Sequence, residues 1–237
     1  MTKKHLKNKI SIVSGSSKGI GFEIAKILSS HGSFVEMSGS SQAPSSIIGP
    51  SNTNYTQVDF ANADAVSSYS EAILSHYNEI GLLINNAGIG DFKPFTEFSM
   101  EDYTRMMQIN LHSAFQLTSN LMPLLESKGA IIVNVASIAV PQTFKNSSVY
   151  AASKSALAKM FAVAREELRS KNIAVINVYP GATATEIWNT EYLEANKTAM
   201  MSAKDVASAI CNAIDQALQS NIVTEELYLR PKSGDLR

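Results

Sequence analysis

The sequence predicts an α/β fold of three layers, in which a doubly wound, parallel, seven-stranded sheet is covered by helices on both faces. Two observations carry this. Short apolar runs rich in β-branched residues alternate with amphipathic segments along the 237 residues, as in repeated strand–helix units. Several of these runs, most clearly "AIIVNVAS" at 130–137, lack the in–out alternation of a half-exposed sheet, which suits parallel strands buried on both sides.

The elements follow in order. Ile10–Val13 is the first strand and Gly19–Ser30 the helix after it. Phe34–Ser38 and Tyr55–Phe60 are the next two strands, separated by "GSSQAPSSIIGPSNTN" at 39–54. That stretch has roughly the minimum length of a parallel crossover, so its helix is expected to be short or missing. Ala63–Tyr77 is amphipathic and helical, and Leu82–Asn85 is a strand. Met100–Leu125 reads as a long helix with a break near Asn110. Ala130–Ser137 is a strand, Val149–Ser170 a helix, Ala174–Tyr179 a strand, Ala203–Gln219 a helix and Leu227–Arg230 the last strand. No composition shift divides the chain, so residues 1–237 are expected to form one domain.

Composition narrows the function. Hydrophobic residues make up 45% and the net charge is −1. A substantial core follows, and no general affinity for nucleic acid. Lysines 3, 4, 7 and 9 make the start basic, but no apolar stretch follows them as in a secretory signal. The run at 130–140 is interrupted by Asn134 and Ser137 and is too short to span a bilayer. Cys211 is alone, falls beside Ile210 and Ile214 at helical spacing, and reads as a core residue in a reducing cytoplasm. His5, His31, His76 and His112 show no ligand spacing, so no metal is expected.

The turn "SGSSKGIG" (14–21) joins the first strand to its helix. Glycines placed here let a pyrophosphate approach the free N–H groups of the helix, as in dinucleotide-binding Rossmann folds. An ordinary strand–helix turn is the alternative. The second strand ends in Gly39, Ser40 and Ser41, with no carboxylate where a ribose 2′-hydroxyl would need one. Glu36 sits mid-strand and is expected to point elsewhere, while Lys18 in the turn could reach a 2′-phosphate. NADP(H) is therefore expected over NAD(H), which stays possible.

In "VYAASKSALAKM" (149–160), Tyr150 and Lys154 are four residues apart on one helix face. The alternatives are a packed tyrosine beside a solvated lysine, or a phenol whose pKa the ammonium lowers from about 10.

Taken together, "SGSSKGIG" (14–21), "NNAG" (85–88), "IN" ending at Asn110, Ser137, "YAASK" (150–154) and "PGATAT" (180–185) resemble the classical short-chain dehydrogenases/reductases over nearly the whole chain. Ser137 lies thirteen residues before Tyr150, as in that family. The resemblance implies a catalytic tetrad of Asn110, Ser137, Tyr150 and Lys154. It implies a cofactor site on Gly15, Ser17, Lys18, Gly19, Ile20 and Gly21 at the turn, with Ser40, Ser41, Asp59 and Phe60 toward the adenosine. Asn86, Ala87 and Gly88 would line the adenosine ribose, Tyr150 and Lys154 would face the nicotinamide riboside, and Pro180, Gly181, Thr183 and Thr185 would hold the carboxamide. Tyr150 is then the general acid, Ser137 a second donor to the substrate oxygen, Lys154 the cation that acidifies the phenol and bonds the ribose, and Asn110 the holder of a proton-supplying water. Residues 186–201, "EIWNTEYLEANKTAMM", would form the substrate lid, and Phe92, Val140, Gln142, Phe144 and Trp188 are candidates for the pocket wall. Ser14 stands where threonine is usual in the family, which keeps the hydroxyl. The C-terminal "EELYLRPKSGDLR" lacks its common Thr-Gly and Asp-Gly-Gly signals. A homodimer or homotetramer paired through the helices at 100–125 and 149–170 is implied by the resemblance alone.

These readings converge on an NADP(H)-dependent oxidoreductase acting on a small carbonyl compound or its secondary alcohol. A catalytically silent NADP(H)-binding regulator on the same fold is the alternative. A nucleotide-sugar epimerase or dehydratase is a third, against which the short C-terminal region argues.

Overall fold

A computed structural model describes residues 4–44 and 52–235. Nine strands are described: β1 (Ile10–Val13), β2 (Phe34–Gly39), β3 (Thr53–Gln57), β4 (Leu82–Asn85), β5 (Ile131–Val135), β6 (Ala174–Pro180), β7 (Thr183–Ala184), β8 (Met201–Ser202) and β9 (Glu226–Leu229). The α-helices are α1 (Gly19–Ser30), α2 (Ala63–His76), α3 (Met100–Met107), α4 (Ser113–Leu125), α5 (Ser148–Leu168), α6 (Thr190–Asn196) and α7 (Ala203–Gln219). Seven strands form one sheet in the order β3-β2-β1-β4-β5-β6-β9, every pair parallel. The chain winds one way from β1 to β3 and the other way from β4 to β9, so the order reverses between β1 and β4, where doubly wound sheets bind ligands at their carboxyl ends.

The missing alternation in the strand sequences has a direct cause. Val13, Met37, Leu82, Ile84, Val133 and Val178 point into a core shared with α1 and α7. Their neighbours Ile12, Leu83, Ile132 and Val175 point into a second core with α2, α4 and α5. Both faces are dry, so apolar residues occupy both parities. Cys211 is one of the fully buried residues of the first core.

Local chemistry sets several boundaries. Asn62 caps α2 by accepting from the Asp64 and Ala65 amides at 2.9 and 3.3 Å. Ser99 and Asp102 form a reciprocal capping box on α3. The expected break at Asn110 is a π-helical segment, Gln108–His112, between α3 and α4. The third strand begins earlier than expected, at Thr53, and ends at Gln57, so Asp59 and Phe60 lie in the following loop. The last strand likewise starts one residue early, at Glu226. The expected helix-poor crossover falls on residues 45–51, outside the described residues, as does Lys3 of the basic N-terminal run.

Asn134, which interrupts the apolar run of β5, belongs to a ladder across the sheet. Asn85 donates to Asn134 at 2.9 Å, Asn134 to Asn177 at 3.0 Å, and Asn177 to the Ala158 carbonyl of α5 at 3.0 Å. The three residues are paired in register. A buried amide needs its partners, and this chain of bonds ties α5 to the strands beneath it. Among the described residues no helix is long and apolar enough to cross a membrane.

Candidate active site

The turn after β1 is shaped by glycines with no room for a side chain. Gly15 has φ +61°, and a Cβ there would lie 2.6 Å from Ala87 Cα. A Cβ on Gly21 would lie 2.3 Å from Asn86 Nδ2. The β4 end locks the turn: Asn86 Nδ2 donates to the Ser14 and Gly15 carbonyls at 3.0 and 2.8 Å. The Ser14 hydroxyl accepts from the Asn86 and Ala87 amides at 3.0 and 3.1 Å. Serine thus performs the bonding that the position requires. Lys18 is the extended residue before α1 and is exposed. A cavity of about 330 Å³ opens here, lined by Ser17, Lys18, Gly19, Phe22 and Glu23 on one side and Ala184, Glu186 and Ala203 on the other. Gly19, with φ +61°, faces Thr185 across it, a Cβ there coming within 3.3 Å of Thr185 Cγ2.

At the end of β2, Tyr55 donates to the Ser41 carbonyl at 2.6 Å and Gln57 to the Ser40 carbonyl at 2.9 Å. Ser17 approaches Gly39 together with the Tyr55 hydroxyl. Tyr55 was not singled out from the sequence, since a lone tyrosine in a strand carries no signal. Glu36 is nearly buried. Its carboxylate accepts from Asn54 at 2.9 Å and from the Tyr77 hydroxyl, away from the strand end. Asp59 is exposed and accepts from the Ala61 amide at 3.0 Å, while Phe60 is in the core.

The four residues of the expected tetrad converge from three elements. Tyr150 and Lys154, 8% and 3% exposed, are on α5. Lys154 Nζ donates to the Val135 carbonyl at 2.8 Å. Gly88 lies against both Lys154 and Asn110: a Cβ there would be 3.0 Å from the ammonium and 3.3 Å from Asn110 Oδ1. Asn110 Oδ1 accepts from the Ile89 amide at 2.8 Å, and its Nδ2 donates to the Ile89 carbonyl and Ser153 Oγ at 3.0 and 2.9 Å. Its amide group is therefore consumed in fixing the loop after β4 to α5. Ser153, a small residue inside "YAASK", is the unforeseen partner. Ser137 follows β5 and accepts from the Ala139 amide at 3.1 Å, and its hydroxyl faces the Tyr150 phenol closely enough to lower the phenol pKa.

Burial raises the Tyr150 pKa above its usual 10.0, and the nearby Ser137 hydroxyl offsets this only in part. The Lys154 ammonium is turned to Val135, and burial lowers its own pKa from 10.5 to about 8. Helical spacing places the two groups on one face but does not aim the charge at the phenol.

Lys154 leads to a prediction. Between pH 8 and 10.5 the unfolded chain holds a proton that the folded chain has released, so stability rises with pH in that window and is lost as pH falls toward 8. Tyr55, Tyr69, Tyr77, Tyr150 and Tyr179, all raised above 10.0 by burial, oppose the trend as pH approaches 10. The unfolding free energy should climb by roughly 1 kcal/mol from pH 8 to 9, and Lys154→Met should flatten that climb. Denaturant titrations across this range measure both.

After β6 the segment Pro180–Thr185 turns back over the site. Gly181 donates to the Leu229 carbonyl at 2.8 Å, and Thr183 Oγ1 to the Gly181 carbonyl at 2.9 Å. Of the five pocket candidates, Phe92, Phe144 and Trp188 gather near Tyr150. Val140 packs instead with Ala136, Ala158 and Tyr179, and Gln142 accepts from Arg230 at 3.1 Å. The tight turn after Ser137 carries both away from the aromatic group.

Known proteins resemble this chain throughout. Residues 9–196 match the family described as short chain dehydrogenase. The chain is 31% identical over 186 residues to a sepiapterin reductase of Chlorobaculum tepidum, covering 78% of this chain and 75% of the reductase. It is also 31% identical over 191 residues to a 3-oxoacyl-[acyl-carrier-protein] reductase of Chlamydia muridarum, covering 77% of each. A metagenomic short-chain oxidoreductase crystallised in complex with NADP superposes with a TM-score of 0.81 at 25% identity, over 96% of this chain and 99% of that one. With the glycine turn locked to the β4 end and a parallel sheet beneath it, a match of this extent places the chain in the short-chain dehydrogenase/reductase family of oxidoreductases.

Proposed function

We propose that the chain is an NADP(H)-dependent reductase that interconverts a small carbonyl compound and its secondary alcohol, with Tyr150 as general acid/base. The observation that carries this is the convergence of Tyr150, facing Ser137, with Lys154, Asn110 and Gly88 at the carboxyl end of the sheet, beside a turn too tight for any side chain. The cradle at Gly15 and Gly21 fits a pyrophosphate, whose oxygens need backbone approach and free helix amides. Lys18, Ser17, Ser40 and Ser41 at the end of β2 suit a 2′-phosphate. The NADP-bound relative supports the same choice.

When bound, the reduced nicotinamide supplies a hydride to the carbonyl carbon. The chain's residues handle the charge that then grows on oxygen. Ser137 and Tyr150 donate hydrogen bonds to it, and the Tyr150 proton passes to it as the alcohol forms. Lys154 stands beside Gly88, placed for a ribose hydroxyl, and an ammonium so held lowers the cost of the phenolate. Thr183 and Thr185 border the carboxamide position. Residues 186–201, which contain α6, cover the substrate side. Assembly into a dimer or tetramer through α4 and α5 belongs to the same reading, and light scattering at micromolar concentration tests it.

The deciding experiment follows the reduced nicotinamide absorbance with NADPH against aldehydes, ketones and diketones, and the reverse reaction against alcohols. Turnover supports the reading; tight NADPH binding with no turnover anywhere supports the silent regulator. Lys18→Ala should raise the Kd for NADPH about tenfold, the value of one charge-assisted contact, and leave that for NADH unchanged. Tighter binding of NADH by the native chain would refute the cofactor assignment.

A further inference from the structure

A row of four aromatic rings leads from the candidate acid to the surface. The Phe92 ring meets Tyr150 edge-on, with centroids 5.4 Å apart. Trp188 stacks on Phe92 at 5.0 Å with planes 18° apart. Tyr192 of α6 packs tilted against the indole, with centroids 5.0 Å apart. Tyr150 is 8% exposed and Tyr192 38%, so the row runs from the buried phenol out to water. Around the inner end the packing is apolar: Met106, Ala139 and Val149, with Ile89, Phe144 and Ile187 beside them.

The two sides of the central stack are held differently. Phe92 is on a clamped loop. The next residue, Lys93, pairs with Asp91 at 2.9 Å and Asp102 at 2.8 Å, and its amide donates to the Asn146 carbonyl at 2.9 Å. Trp188 is held by its indole N–H on the Thr183 carbonyl at 3.0 Å and by its amide on the Thr185 carbonyl at 3.4 Å, with no ion pair on the described residues beside it, and α6 behind it buries none of its seven residues. Stacked rings 5.0 Å apart at the centroids leave no space for a third between them, so a flat ligand lies against Phe92 on this side only if one ring moves. Trp188 is the less restrained.

We propose that Phe92 and Trp188 form an aromatic gate over Tyr150, and that the substrate is a flat, uncharged, conjugated or aryl carbonyl compound that takes the place of the indole against Phe92. This rests on the reductase reading above. The reason is an exchange of contacts. Opening the gate gives up a ring–ring contact inside an apolar wall. A ligand with a π face restores it, whereas a small aliphatic carbonyl does not. Lys93, the cation next to Phe92, is already shared by two aspartates and so offers little to a phosphate or carboxylate.

Trp188 is the single tryptophan, so its emission reports the gate directly. The test titrates the NADPH complex of Tyr150→Phe, which halts turnover, with 1-phenyl-1,2-propanedione and with 2,3-butanedione, reading emission and calorimetric binding. The expected result is a change of Trp188 emission with the phenyl compound, and a Kd lower by about tenfold or more than that of butanedione. In the native chain kcat/KM should favour the phenyl compound similarly. Phe92→Ala should cut that preference about tenfold and Phe92→Tyr should retain most of it, since the ring that the ligand stacks on is Phe92. Binding of the phenyl compound with unchanged emission, equal affinity for both diketones, or no binding of either overturns the gate. If the phenyl compound shifts the emission but the native chain oxidises NADPH with no carbonyl, the gate stands and the reductase reading falls.

Discussion

Tyr150→Phe will lower turnover by roughly two to four orders of magnitude, the usual worth of a positioned general acid, while NADPH still binds as in the native chain. The physical reason is the position of the hydroxyl. It faces Ser137, and the Phe92 ring packs edge-on against the phenol ring. Phenylalanine fills the same volume, so the loss to folding is that of one hydrogen bond, about 1 kcal/mol. The glycine turn and Lys154 are untouched. Steady-state kinetics with a reducible carbonyl, together with NADPH binding, separate the two effects. Near-native turnover would remove Tyr150 from the chemistry, and lost NADPH binding would show that the phenol does structural work instead.

Gly15→Ala is expected to abolish cofactor binding and to destabilise the fold by about 2–5 kcal/mol, the sum of backbone strain and overpacking. The left-handed φ of +61° disfavours any side chain, and the new Cβ would lie 2.6 Å from Ala87 Cα and 2.8 Å from its amide nitrogen. Those neighbours are backbone and have no rotamer to yield. Relief would require the turn and the β4 end to separate, which breaks the Asn86 bond to the Gly15 carbonyl. Gly234→Ala is the control: its φ is +91° but nothing lies within 4 Å, so only about 1–2 kcal/mol of backbone strain is expected. Thermal melts of both variants, with NADPH titrations, test the pair. Normal NADPH affinity in Gly15→Ala would mean the turn is not the phosphate site.

Much of this architecture was legible because it is written locally. The π-helical segment at Asn110, the helix carrying Tyr150 and Lys154, and the turn at Gly15–Gly21 each depend on residues a few places apart. The misses are equally specific. Asn134 looked like a flaw in an apolar strand because its partners, Asn85 and Asn177, are on neighbouring strands. The contacts of Val140 with Ala136, Ala158 and Tyr179, and of Gln142 with Arg230, come from residues distant in sequence. Ser153 gave no signal among the small residues of its helix, and the row from Phe92 to Tyr192 is assembled from two distant segments.

The amino-acid order alone determined the layered parallel sheet, the phosphate-type turn and the i, i+4 placement of phenol and amine, because backbone periodicity and glycine stereochemistry act over a turn or two of chain. Only the tertiary structure decided which way the Tyr150 and Lys154 pKa values move and which rings stand before the phenol. Local dielectric and ring contacts come from whatever the fold packs around a side chain, and those neighbours are far away in sequence.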